Sequence, residues 1–490
     1  MAVSHNPPLA RAGVPALPSA TGAVFLGIFA LLALVPDRLL GDPDTLWHVA
    51  IGRDIAAARA LPWTDTYSHT FAGAPWIAKE WLAQVLLAGV YGLFGWAGVA
   101  LLAALAAAAA FALLHGFLAR RLRASVALAL TLTAVLLCAP HLLARPHVLA
   151  LPLIVLWARG LIEAAEAGRA PRPRLALVML LWANLHAGFT IGFALAGLVA
   201  LDAVWRGATH QRRGLALRWL GFLALSLAAA CATPYGPRSM LVTLTLFGSG
   251  EPLPYIVEWQ PLDPDALGVL AMILMGGTLA VLAARPRENV FRIALVALLA
   301  AMTLRHGRFL ELFALVAPIA AATPVLRLAP GLRADPAAAV AASARAATVL
   351  IAALVALFAL RQHPVPDPRN APDAALRAAE AAGVTAGRVY NAYDFGGFLI
   401  ARGVRTFIDG RSDQIFLGGF TRAVHAAADA AEDEPFLALL DARGVTWALV
   451  RTGSPEARHL GGAAAWSAIY ADPVASVFAR RTVTGPRAEN

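Results

Sequence analysis

Apolar residues recur along the chain in runs of about 18–20, the length a helix needs to cross a bilayer core, and without the period-2 alternation of a membrane β-barrel. The runs predict spans at 21–40, 96–118, 125–142, 147–166, 175–190, 189–205, 215–232, 266–284, 291–304, 307–326 and 340–360. The stretch 80–95 is apolar but shorter, and fits either a further span or a helix lying in the interface. After 360 the pattern changes. Pro364, Pro366 and Pro368 predict a stiff linker. A helix at 371–382, a strand Arg-Val-Tyr-Asn-Ala-Tyr, a glycine turn at 396–397, a short strand Arg-Thr-Phe-Ile-Asp, a helix at 420–441 and a strand Val-Thr-Trp-Ala-Leu-Val follow, which is a small α/β domain.

Composition sharpens this picture. Of 490 residues, 59% are hydrophobic and 14% charged, against about 45–50% and 25% in soluble domains. An ordinary soluble enzyme, a disordered chain and a coiled coil are excluded. The net charge of +10 comes from Arg, with Lys79 the single lysine, a usage typical of GC-rich bacterial genomes. The arginines cluster at 120–123, 159–174, 206–218, 285–292 and 327–333, between apolar runs, so the positive-inside rule accounts for them better than nucleic acid as a partner. If 80–95 lies in the interface, all five clusters fall on the side of the N-terminus. That side is then the cytoplasm, the first run is an uncleaved signal anchor, and the loop 41–95 and the tail face outward. Cys138 and Cys231 lie inside apolar runs and predict no disulfide or thiolate metal motif.

The outward loops hold most of the residues with chemical potential, which is the default sign of a site in a membrane protein. In Gly-Asp-Pro-Asp-Thr-Leu-Trp-His (41–48), Asp44 is either the cap of an amphipathic surface helix over 45–59 or a general base. Asp42 is a second acid beside it, and His48 lies one turn on. Trp63, Trp76 and Trp81 read as an interfacial aromatic belt or as platforms for sugar rings. Glu80 reads as a helix cap or as a second carboxylate near Asp44. Arg305, His306 and Arg308 form either a short polar turn or a phosphate site, and Arg145 with His147 a second such group, because the guanidinium fork suits phosphate. Asn184 and His186 at a span end fit packing or substrate contact, as does Glu258 in its loop. In the tail, Asp409-Gly410-Arg411-Ser412-Asp413 and Tyr393-Asp394-Phe395-Gly396-Gly397 read as turns, the former with Arg–Asp pairing. The histidines lack the spacing of haem or zinc motifs, and no Walker A or Rossmann glycine pattern occurs.

Several islands together resemble bacterial membrane proteins of the GT-C glycosyltransferase superfamily, of the protein mannosyltransferase and aminoarabinose transferase type. These are the loop Asp-Pro-Asp-Thr-Leu-Trp-His with Leu-Pro-Trp-Thr-Asp-Thr-Tyr-Ser-His-Thr and Trp-Ile-Ala-Lys-Glu-Trp-Leu, then Ala-Arg-Pro-His at 144–147, Leu-Trp-Ala-Asn-Leu-His-Ala-Gly-Phe at 181–189, Thr-Pro-Tyr-Gly at 233–236 and Val-Glu-Trp at 257–259. Tyr-Asp-Phe-Gly-Gly-Phe and Phe-Ile-Asp-Gly-Arg-Ser-Asp in the tail complete the set. The resemblance implies an inverting transfer of a sugar from a polyprenyl-phosphate donor to an acceptor at the outer face of the membrane. It implies Asp44 as base, with Asp42 second; positive charge developing on the sugar would be stabilised by a nearby carboxylate such as Asp42 or Glu80. Some superfamily members use a divalent metal at such acids and others none, so a metal stays open.

The expected architecture is an all-α polytopic membrane protein of about eleven spans and one interfacial helix, GT-C-like, with a small α/β domain. The expected units are a cytoplasmic tail 1–20, a membrane domain 21–360 with the outer loop 41–95, and an extracytoplasmic domain 361–490. The expected partners are a polyprenyl-phosphate sugar, a glycan, lipid or protein acceptor, and membrane lipid. Two other functions stay open: a transporter of lipid-linked sugars, and a non-catalytic partner in envelope assembly.

Overall fold

A computed structural model describes residues 20–249, 259–334 and 345–481. Helices run in the order α1 (Ala20–Ala33), α2 (Pro36–Leu39), α3 (Asp44–Ala58), α4 (Trp81–Ala119), α5 (Ala124–Cys138), α6 (Pro146–Glu166), α7 (Ala176–Leu185) and α8 (Phe189–Arg206). They continue with α9 (Arg212–Cys231), α10 (Arg238–Ser249), α11 (Ala266–Ala283), α12 (Pro286–Arg305), α13 (Leu310–Leu328) and α14 (Arg345–Ala359). Among the described residues seven helical stretches are long and apolar enough to cross a membrane: α4, α5 with its short extension to His141, α6, α8, α9 with the turn before it, α11, and α13 with the turn before it. Among the described residues the other four expected spans fall short on this measure, and residues 340–344 of the last lie outside them. The regions of α1, α7 and α14 are apolar but shorter, and α12 carries Arg287, Glu288, Arg292 and Arg305. The first run is also not one helix over 21–40. It ends at Ala33, and Pro36, which has no N–H to continue a helix, opens α2.

Burial orders the bundle. In α13, 83% of the apolar window is buried, against 28% in α5 and 22% in α11, so α13 is central and the other two face lipid. On α5 the exposed Leu128, Leu132 and Leu136 recur every four residues and make one stripe. The long α4 is bent at Gly95, whose φ of +60° and ψ of −152° suit glycine. Its first limb, 81–94, is about 21 Å long at 1.5 Å per residue, too short for a core of about 30 Å.

The two ends of the bundle differ. At one end Arg292, 2% exposed, bonds Asp202 of α8 at 3.1 Å, Glu166 of α6 at 3.2 Å and the Ala320 carbonyl of α13 at 2.9 Å. Arg121 joins Glu166 at 3.5 Å, and Arg327 joins Glu288 at 2.7 Å. The arginine clusters gather there. The other end receives α3, the start of α4 and the starts of α6 and α13.

The tail folds as α15 (Asp373–Ala381), β1 (Arg388–Asn391), α16 (Gly396–Ala401), α17 (Phe420–Ala428), α18 (Glu434–Ala442), β2 (Val445–Arg451), α19 (Pro455–Gly462), β3 (Trp466–Ala471) and β4 (Ala475–Arg480). The sheet order is β1-β2-β4-β3, with β1 parallel to β2 and the other pairs antiparallel. Three expectations are corrected. The helix at 420–441 is two, α17 and α18. The glycine pair at 396–397 opens α16 rather than a turn, because a Cβ on Gly397 would fall on the Pro43 carbonyl where α16 meets α3. Residues 405–409 form no sheet strand. Thr406 instead makes a single parallel bridge to Ser68, with His69 N–H donating to its carbonyl at 3.0 Å.

Candidate active site

The turn after α2 sets the first carboxylates. Asp44 is the first residue of α3 and not its cap; Asp42 closes the turn into it, its Oδ1 accepting the Asp44 N–H at 2.7 Å. The Asp44 side chain is thereby left to other partners. Its Oδ1 accepts from Trp47 Nε1 at 2.9 Å, and its Oδ2 lies 2.9 Å from Arg145 Nη2. Arg145 Nη1 reaches Asp42 Oδ2 at 3.2 Å, so one guanidinium spans both acids. Arg145 stands just before α6, and its turn is pinned to α3 by the Thr45 hydroxyl donating to the Ala144 carbonyl at 3.1 Å. The Asp-Pro-Asp and Ala-Arg-Pro-His islands thus meet in space. The tail closes over them, since a Cβ on Gly410 would fall on Asp44 Oδ1.

One turn along α3 from Asp44, His48 points the same way. Glu80 occupies the position before α4, yet its side chain makes no cap bond. Its Oε2 lies 3.9 Å from His48 Nε2 and its Oε1 lies 3.5 Å from His186 Nε2. His186 sits in the extended break between α7 and α8, where its Nδ1 accepts the Gly188 N–H at 3.2 Å. That leaves Nε2 as the protonated nitrogen facing Glu80. His48 is held likewise, with Gln84 Nε2 at 3.3 Å from its Nδ1. Burial, helped by Arg145 and neighbouring imidazoles, pushes the His48 pKa well down, and burial with His147 and Arg308 does the same to His186. Burial raises the Glu80 pKa, against the pull of Lys79. The arrangement is a half-buried carboxyl between two neutral imidazoles, that of His48 buried and that of His186 half-buried.

The remaining expected residues surround this centre unevenly. His147 Nε2 donates to the His141 carbonyl at 2.8 Å, lies 3.8 Å from Glu311 Oε2, and its ring centroid is 6.2 Å from that of His186. Trp81 Nε1 donates to Asn184 Oδ1 at 2.9 Å, and Asn184 Nδ2 donates to the Leu180 and Ala232 carbonyls. His306 Nδ1 lies 2.6 Å from the Trp259 carbonyl. Arg308 lies over the Trp259 ring at 4.3 Å and is near enough to act on the charges of Glu80 and His186. Arg305 is exposed at the end of α12. Trp76 is 3% exposed and packs with the Arg411 guanidinium 5.1 Å from its ring, so it is enclosed in the junction. Glu258 lies outside the described residues.

Sequence reasoning missed how the tail grips the outer loop. Arg411, 1% exposed, bonds Asp409 with Nε and Nη2, both at 2.8 Å, as the pairing within its own turn predicts. Its Nη1 also reaches Asp65 at 2.6 Å, in the outer loop. Burial works against its charge, but the two carboxylates outweigh it and hold its pKa above the ordinary value. Lys79 pairs with Asp413, and Gln414 bonds both backbone groups of Ile77. The signal available was charge alone: a basic residue in an apolar setting requires an acid.

The donors do not fit a divalent metal. Asp42 and Asp44 are bridged by a guanidinium, and among the described residues no three His, Cys, Asp or Glu side chains gather as ligands would.

No family profile and no curated protein matches the sequence. Solved structures do match in fold. The archaeal oligosaccharyltransferase AglB from Archaeoglobus fulgidus, in complex with an inhibitory peptide and a dolichol-phosphate, superposes with a TM-score of 0.54 at 12% identity, over 88% of this chain and 69% of that one. The Archaeoglobus fulgidus oligosaccharyltransferase tethered to an acceptor peptide superposes with a TM-score of 0.52 at 12% identity and the same coverage. The chain is an integral multi-pass membrane protein whose fold resembles that of this archaeal oligosaccharyltransferase.

Proposed function

We propose that the chain is a membrane glycosyltransferase that moves a sugar from a polyprenyl-phosphate donor to an acceptor at the outer face of the bacterial cytoplasmic membrane. The observation that carries this reading is the meeting of Asp44, Arg145, Glu80, His48 and His186, from four distant parts of the sequence, at one end of an AglB-like bundle. In this reading the N-terminus and the arginine-rich end lie in the cytoplasm, and the first limb of α4 lies in the interface.

The donor phosphate competes with Asp44 for Arg145, whose fork suits either anion. Its binding releases Asp44 Oδ2, with Trp47 still holding Oδ1 in place. Asp44 then accepts the acceptor's proton as oxygen or nitrogen attacks the anomeric carbon. The carbon–oxygen bond to phosphate breaks on the opposite face, and the configuration inverts. Positive charge developing on the sugar is stabilised by the nearby carboxylates, and Arg145 and Arg308 take the charge of the departing phosphate.

The test compares wild type, a deletion and Asp44→Asn by mass spectrometry of envelope glycolipids, glycans and glycoproteins. The expected result is one sugar lost in both strains while the variant protein is still made and inserted, with transfer lowered about 10²–10⁴-fold. A sugar lost only in the deletion removes Asp44 from catalysis and points to transport or assembly.

A further inference from the structure

A cavity of about 630 Å³ lies on the far side of α3 from the acidic site. Leu46, Val49 and Arg53 line it and follow i, i+3, i+7 spacing, about half a turn round the helix from Asp44 and His48. Its opposite wall is the tail: Phe398 of α16, Arg377 of α15 and Val474 of the β3–β4 turn. Tyr91 and Trp96, on either side of the Gly95 bend, and the proline linker at Val365 complete it. The cavity therefore lies between the α/β unit and the membrane helices, beside the bend in α4.

Its lining is amphipathic in a particular way. Its apolar lining is Leu46, Val49, Trp96, Phe398 and Val474, with Val365 at 58% exposure at its side, and the neighbouring Leu93 and Phe94 of α4 are also exposed. Three guanidinium groups and two carboxylates are present. Asp373 is paired with Arg402, and Asp472 is satisfied by the Tyr470 hydroxyl and two backbone N–H groups. Arg53 and Arg377 are exposed and make no ion pair among the described residues. Two uncompensated forks beside an apolar lining, next to lipid, match an anion carrying a hydrocarbon chain.

We propose that this cavity binds an anionic phospholipid of the bilayer. Its phosphodiester meets Arg53 and Arg377, and its first methylenes enter between Leu46, Val49 and Phe398. The lipid serves as a wedge that seats the α/β unit on the membrane domain, separate from any donor bound at Asp44.

The test uses the full chain, delipidated in neutral detergent, with native mass spectrometry and thermal midpoint as readouts. Phosphatidylglycerol, phosphatidylcholine and inorganic phosphate are the probes, and no sugar transfer is needed. Phosphatidylglycerol is expected to be retained and to raise the midpoint, with neither effect from the other two. The double variant Arg53→Gln/Arg377→Gln, both changes being at exposed positions, is expected to weaken retention about 30-fold, from about 1 kcal/mol per arginine. Ala374→Trp, which fills the cavity without changing charge, is expected to remove retention as well. Equal effects from phosphatidylcholine or from inorganic phosphate, or retention unchanged in the double variant, would overturn the proposal.

Discussion

Asp44 and Glu80 are acids at the same end of the bundle, but their surroundings give them opposite characters. Asp44 receives an indole N–H and a guanidinium, both of which favour the charged form. Glu80 is half-buried between two neutral imidazoles, and burial favours its protonated form. This opposition has a measurable sign. His48 and His186 have native pKa values below their ordinary 6.5. Their contribution to stability is present above about 6.5 and is lost as pH falls, because the unfolded chain takes up protons first. Glu80 has a native value above its ordinary 4.5, so its contribution is largest below 4.5 and is lost as pH rises through the native value. Between pH 7.5 and 5.5 the two histidines outweigh the one acid, and the thermal midpoint of wild type should fall. Glu80→Gln removes the opposing term and should steepen that fall, whereas the double variant His48→Gln/His186→Gln should flatten it. A midpoint that rises on acidification in wild type would contradict this balance. Of this site, the sequence makes the individual residues legible, since each stands out as polar in an apolar chain. The grouping is not legible: Glu80 and His186 are 106 positions apart (186 − 80) and share no local pattern.

At the level of elements, the ionic knot of Arg292, Asp202 and Glu166 ties α12, α8 and α6 together. Removing one partner of such a buried group leaves an uncompensated charge. Asp202→Ala should therefore destabilise the protein by about 3–5 kcal/mol, while Asp202→Ala with Arg292→Met should recover much of that loss. The check is unfolding in detergent by the two variants side by side, and equal losses would show that the charge itself is not the cause. At the bend of α4, Gly95→Ala places a side chain at φ +60° and ψ −152°, a region kept almost wholly for glycine, and should cost about 1–3 kcal/mol in the same unfolding measurement. The long helices were readable from apolar length because α6, α8 and α13 have little else to show. Where the expectation failed, a neighbour overrode the local signal. Gly396 and Gly397 look like a turn, but the smallness of Gly397 serves the approach of α16 to α3. Residues 405–409 look like a strand, but Thr406 alone bridges the outer loop and the chain bends at Phe407 and Ile408 instead of joining the sheet. The strands β3 and β4 escaped notice because Trp466–Ala471 is mostly half-exposed and Ala475–Arg480 is short, with only weak alternation in either.

For the whole molecule, the tail and the outer loop behave as one body, and neither is complete alone. Asp65 and Arg411 are 346 positions apart, yet they form a buried pair joined by Asp409 and by the Tyr67 and Trp76 rings. The Arg-Asp run in the tail announced its own pairing, but the second acid came from a loop that composition alone assigns to another unit. This coupling has a consequence for topology. If the tail lies outside, the loop 41–95 lies outside with it, and the arginine-rich end must face the cytoplasm. The native cysteines suit a labelling test, because Cys138 is buried and Cys231 can be replaced by serine. In that background, single cysteines at Arg422 in the tail and at Arg169 in the loop after α6 should respond oppositely. A membrane-impermeant thiol reagent applied to intact spheroplasts should label Arg422→Cys, and should label Arg169→Cys only after lysis. Labelling of Arg169→Cys alone before lysis would invert the orientation. The acids at Asp44 and Glu80 would then face the cytoplasm, and the proposed transfer at the outer surface would fail with them.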